Sequence, residues 1–216
     1  HRVLAHPAPE TALTTGRNHL IDSLPRRERD RLLQASECVP LSSGEVVFEA
    51  GGTLRHLHFP TDGFVSLVAE VDAHPGLEVG MVGREGAVGV SLLLGMTLSP
   101  LRALVQGAGS AWRIGATAFR RELATSPALR RRLDRYLYVL MAQKSTAIGC
   151  QRFHMIGPRL ARWLLMSQDR AQADHVHATH EGLACMLGVR RVGITVAAGQ
   201  LQRHGLISYH RGELTV

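Results

Sequence analysis

The stretch MLGVRRVGITVAAGQLQRHGLI, residues 186–207, decides how the C-terminal half of this chain is read. Leu187, Ile194, Ala197, Ala198 and Leu201 recur at helical spacing. Gly188 interrupts them where a tight turn needs positive φ. Just upstream, Thr179 is a natural N-cap and Glu181 suits the first turn of a helix. The segment therefore predicts two helices, about 179–187 and 190–203. The small Ala184 sits at their crossing, Val189 plugs the corner, and Leu183 and Leu187 face inward. A small residue, a turn glycine four positions later and an apolar residue six beyond that is the spacing of a helix-turn-helix. The following GLISYHRGELTV predicts two short strands around His210-Arg211-Gly212, a wing.

Charge agrees with that reading. The chain has 216 residues and a formal net charge of +7. Lys144 is the single lysine, so the other 24 of its 25 basic residues are arginines. A basic balance favours a polyanionic partner. The apolar runs break well short of the roughly 18 residues of a membrane span, so no membrane partner is expected. The opening HRVLAHPAPETALTTG lacks the apolar segment of a secretory leader and reads as a flexible arm, residues 1–17. Cys38, Cys150 and Cys185 are odd in number and far apart. They argue against a disulfide framework or cysteine-held cluster and for a reducing cytoplasm.

Upstream the punctuation is that of a β domain. Between Val39 and Ile114 short apolar stretches such as EVVFEAGG, HLHFPTDGFVSLVAEV, LEVGMVG, LRALVQGAG and SAWRIG alternate with turn residues, as in a sandwich or roll. Ser126-Pro127 then opens a long helix, about 127–155. Its positions Leu129, Leu133, Tyr136, Leu140, Gln143, Ala147 and Cys150 step 4-3-4-3-4-3, a heptad seam that predicts a two-stranded dimer interface. Packing on its own β domain is the other reading of the same pattern. Gly157-Pro158 breaks this helix and a further helix follows. The domains expected are the arm, a sensor roll at 18–126, the long helix, and a DNA-binding unit at 156–216.

These features together resemble the Crp/Fnr family of bacterial transcription regulators over nearly the whole length. VPLSSGEVVFEAGG and HLHFPTDGFVSLV look like that family's roll opening, the long helix like its dimer helix, and the end like its winged helix-turn-helix. The resemblance implies an α+β chain: an N-terminal β-roll of the cyclic-nucleotide-binding jelly-roll kind, a dimerisation helix and a C-terminal winged helix-turn-helix. It implies a homodimer on near-palindromic double-stranded DNA, with RNA polymerase as a further partner and no enzymatic activity. Relatives read bases through an Arg-Glu pair and a later Arg. Here Arg191 is kept, while Val192 and Val196 stand at the other two positions. Arg191 could hold a guanine and Val192 or Val196 a thymine methyl. Arg190, Thr195, Thr179, His180 and His210 would meet phosphate. Gly193 would let the backbone approach the strand closely.

In nucleotide-binding relatives a Glu and an Arg-Ser/Thr pair grip a cyclic phosphate. In VGREGAVGVSLLLGMTLSPLRALVQG, residues 82–107, Glu85 could serve as the Glu, but Ser99-Pro100 stands where the pair should be. Without the Arg, a buried phosphate loses its main bidentate contact. An unknown small-molecule effector held by Arg84, Glu85, Arg102, Lys144 and Ser145 is the expectation instead, with no cofactor. Two rival readings stay open. His56-Leu57-His58 puts two imidazoles on one strand face, as metal-dependent cupin enzymes require, but no following Glu or clear third His completes a site. His175, His177 and His180 also lie close together in sequence. The other rival is a ligand-binding roll without specific DNA activity.

Overall fold

The computed structural model describes residues 16–70, 76–210 and 212–216. The expected arm falls almost entirely outside them, as does Arg211 of the wing. A short helix α1 (His19–Asp22), capped by Asn18, and α2 (Arg26–Gln34) lead into the roll. Its strands are β1 (Ser36–Leu41), β2 (Val46–Phe48), β3 (His56–Ala69), β4 (Leu77–Val82) and β5 (Arg102–Gly115). A 3-10 turn, Val90–Leu94, lies between the last two.

β3 and β5 are 14 residues each and pair antiparallel from His56↔Gly115 to Val68↔Arg102. β1 covers one half of β5 through Cys38↔Trp112, and β2 pairs the other half through Val46↔Leu104. β4 pairs the far half of β3 through Val65↔Val82. The long strands can serve two sets of neighbours because they bulge: the register shifts repeatedly between Pro60 and Val65. LRALVQGAG and SAWRIG, two stretches in the sequence, are one strand. Their glycines mark close approach at this bulge, not a turn. Gly63 has φ +68°, and a Cβ there would stand 2.3 Å from the Gly107 carbonyl oxygen. A Cβ on Gly109 would stand 2.3 Å from that of Asp62.

Leu57, Phe59, Ile114 and Phe119 are fully buried at the centre of the roll. α3 (Ala116–Thr125) closes one end. The 27-residue α4 (Pro127–Phe153) follows, its first turn capped by Ser126 Oγ accepting from the Leu129 N–H. The seven positions read as a dimer seam face their own chain. Leu129, Leu133, Tyr136 and Leu140 belong to the roll core. Gln143 Oε1 accepts the Met81 N–H at 3.2 Å. Ala147 and Cys150 line a small cavity against the C-terminal unit. An inward face and a seam have the same heptad period, so the period could not separate them. Outward, the chain exposes Tyr138, Met141 and Ile148, at 74%, 67% and 69%.

α5 (Ile156–Ala171), β6 (His175–His177), α6 (His180–Leu187), α7 (Arg191–Arg203), β7 (Ser208–His210) and β8 (Glu213–Thr215) form the last unit. Its sheet has the order β6-β8-β7. Leu160, Leu164, Leu183, Ile194 and Leu214 fill its core, and Phe64 and Met81 of the roll complete it. Among the described residues no single helix is long and apolar enough to cross a membrane.

Candidate nucleic-acid interface

α6 starts where Thr179 Oγ1 accepts the Gly182 N–H at 3.0 Å. It stops at Gly188, whose φ of +60° lets the chain turn while Val189 N–H bonds back to the Ala184 carbonyl. α7 then leaves α6 at 108°. Ile194, Ala197 and Ala198 are buried on its inner side. Arg191, Val192, Thr195 and Val196 face outward. Val192 is 72% exposed and Val196 55%, so two large apolar side chains stand in water on the face a helix-turn-helix turns to DNA. Arg190, at the N-cap, is exposed beside them.

The polar residues here are braced before any partner arrives. His180 Nδ1 lies 3.0 Å from Thr195 Oγ1, which donates to the Arg191 carbonyl at 3.2 Å. Since Thr195 spends its proton there, the His180 ring supplies the hydrogen between them. The ring stacks on Tyr209 of the wing, centroids 4.5 Å apart and 17° between planes. Burial, and then the Arg191 charge, lowers the His180 pKa, which keeps the ring neutral at pH 7. One side chain therefore ties the start of α6, the middle of α7 and the wing into a single frame. The sequence marked His180 and Thr195 only as phosphate ligands. Tyr209 was missed, because a stack across the wing has no sequence period. Arg191 lies 4.0 Å from Glu181, both exposed, a pair weak enough to exchange for a base or phosphate. His210 is exposed at the end of β7. Gly193 corrects an expectation: it faces α5, and a Cβ on it would come within 2.4 Å of Ile156 Cδ1. Its small size serves packing between helices.

The residues expected to share an effector are dispersed. Arg84 donates to Gln172 at 2.6 Å, and Glu85 pairs with Arg170 at 2.8 Å, so both reach α5. Arg102 lies between Glu49 at 3.2 Å and Glu70 at 4.0 Å. Ser145 Oγ bonds back to the Met141 carbonyl, and Lys144 is half-buried with its pKa lowered by burial. Arg102 is thus paired with acids, Glu85 with an arginine and Arg84 with a neutral amide, each within its own neighbourhood. Ser99 Oγ donates to the Leu101 carbonyl and accepts its N–H, closing a local turn. His56 and His58 do share a face, ring centroids 6.2 Å apart. Burial, then the His56 and Arg113 charges, pushes His58 down to about 4. Among the described residues no three His, Cys, Asp or Glu side chains converge on a metal position.

What the sequence did not indicate is how the last unit is fastened to the roll. Glu78 on β4 accepts from Ser66 Oγ at 2.5 Å and from the Trp163 indole N–H of α5 at 3.1 Å. Burial pushes its pKa up to about 7, opposed by those two hydrogen bonds and by the charges of Arg170 and Arg162. Arg159 of α5 donates to the Leu187 carbonyl at the end of α6.

Residues 158–216 match the family model of the Crp-like helix-turn-helix domain. The c-di-GMP responsive global regulator CLP of Xanthomonas campestris superposes with a TM-score of 0.72 at 18% identity, covering 89% of this chain and 99% of that one. A CRP/FNR-family transcriptional regulator of Thermus thermophilus gives 0.67 at 22% identity, over 83% and 93%. The catabolite activator protein of the same organism gives 0.51 at 18%, over 91% and 92%. No curated protein matches the chain. The chain thus carries a Crp-like helix-turn-helix domain at its C-terminus within the fold of the Crp/Fnr transcription regulators.

Proposed function

We propose that this protein is a homodimeric, sequence-specific transcription regulator of the Crp/Fnr type that works in the cytoplasm on a near-palindromic operator and catalyses no reaction. The observation that carries the reading is α7 itself. It is a helix held rigidly by His180 and presenting Arg191, Val192, Thr195 and Val196 to solvent, in a domain matching the Crp-like model. Arg191 takes a guanine edge, the two valines take thymine methyls, and Arg190, Thr179 and His210 steady the phosphates. With one hydrogen-bonding base reader per helix, the rest of the specificity comes from DNA shape.

The dimer forms through the outward row of α4. Arg131, Asp134, Tyr138, Met141, Ser145, Ile148 and Arg152 step 3-4-3-4-3-4 on the face opposite the core. Pairing two such rows covers Tyr138, Met141 and Ile148 and sets two α7 helices about one DNA turn apart. The contacts of Glu78 with Trp163 and of Glu85 with Arg170 couple the roll to the DNA-binding unit, so an effector on the roll would act by shifting their docking. RNA polymerase is the expected further partner.

Selection of bound duplexes from a random pool tests the reading: an enriched inverted repeat is expected. Arg191→Ala should relax one position of each half-site, at about 1–3 kcal/mol. A uniform loss across all sequences would remove Arg191 from the base-reading role.

A further inference from the structure

We infer that the groove between the α1–α2 turn and the N-terminal half of α4 is a binding site for a small, multiply phosphorylated anion. Arg131, Arg132 and Arg135 line one wall of a cavity of about 410 Å³, and Leu24, Pro25 and Ala128 form its apolar side. That volume is in the range of small-molecule sites. Arg132 donates to the Ser23 carbonyl at 3.5 Å.

The acids around the groove are already engaged. Asp134 pairs with Arg130, Asp22 with Arg17, Asp30 with Arg26 and Arg29, and Glu122 with Arg31. Glu28 accepts from Ser126 Oγ. Among the described residues no ion pair reaches Arg131, Arg132 or Arg135. Three uncompensated guanidiniums around one hollow repel one another. A phosphate takes guanidinium forks bidentately, and a polyphosphate can take several at once. The apolar side would carry an organic body attached to such a phosphate. Along α4, Arg131 stands about 33 Å at the helical rise from Phe153, where the chain passes to the DNA-binding unit.

One consequence rests on the dimer proposed above. Arg131 is also the first residue of the outward row, and Arg135 flanks it. Pairing two α4 helices in parallel brings both arginines of each copy together, so a polyanion in the groove would relieve that repulsion and favour the dimer.

The test is calorimetric titration of the full chain with tripolyphosphate at about 150 mM salt, where surface attraction beyond about 8 Å is screened. Saturable binding is expected in the wild type, weakened at least tenfold in Arg131→Gln/Arg135→Gln. It should change less than twofold in Arg120→Gln/Arg121→Gln, which removes the same charge from α3. Equal weakening in both variants, no saturable binding, or a groove variant that loses only duplex DNA would each overturn the site. Ile148→Asp, which should break the dimer, is titrated alongside. Binding retained in that variant places the site within one chain and keeps it independent of the dimer reading.

Discussion

Replacing Glu78 by glutamine should make the protein more stable in mildly alkaline solution and leave it nearly unchanged in acid. In the folded chain the carboxyl titrates near 7 against an ordinary 4.5, chiefly because burial between β4 and α5 penalises its charge. Protonation is therefore favoured by folding. The stabilisation is fully present below about 4.5 and is lost as pH rises through about 7. The displacement corresponds to about 3 kcal/mol, and we expect about 2 kcal/mol because solvent reaches part of the side chain. For a chain of this length that is a Tm difference of about 4–8 °C between the ends of the window. His58 has the opposite sign: its pKa near 4 against an ordinary 6.5 makes stability rise with pH over that range. The two nearly cancel between about 4.5 and 6.5 in the wild type. The difference between Glu78→Gln and wild type removes the His58 contribution. Thermal melts of both proteins from pH 5 to 8.5 should show that difference growing steadily to about pH 7.5 and then levelling. Trp163→Phe, which deletes the indole N–H donor, should move the levelling point to higher pH. Parallel melting curves for wild type and Glu78→Gln would refute the assignment.

Other outcomes follow from single contacts. Ile148→Asp should weaken the proposed dimer more than 100-fold in sedimentation equilibrium, because burying the exposed isoleucine from both copies is worth about 3 kcal/mol. Gly63→Ala should cost about 3 kcal/mol in unfolding free energy, read as a sharply lower urea midpoint. Its φ of +68° is unfavourable for alanine, and the new Cβ would meet two backbone carbonyls within 2.5 Å. Thr179→Ala should cost about 1 kcal/mol in thermal stability through the lost α6 cap.

The sequence by itself determined the local devices. Thr179, Gly188 and the spacing of Ala184 and Ile194 specify a helix-turn-helix, because caps, turns and close crossings each demand particular residue types at fixed offsets. Ser126-Pro127 fixes the start of α4 for the same reason. The tertiary structure decided whatever depends on which face meets which neighbour. The period of Leu129, Leu133, Tyr136 and Leu140 is compatible with a seam or with a core, and only the position of the roll made it core. Arg84 and Glu85 look like ligand residues in sequence and are occupied by Gln172 and Arg170, far along the chain. The bond of Glu78 to Trp163 spans 85 residues. No local period records such a contact, since burial and the charge it shifts are properties of the packed interface.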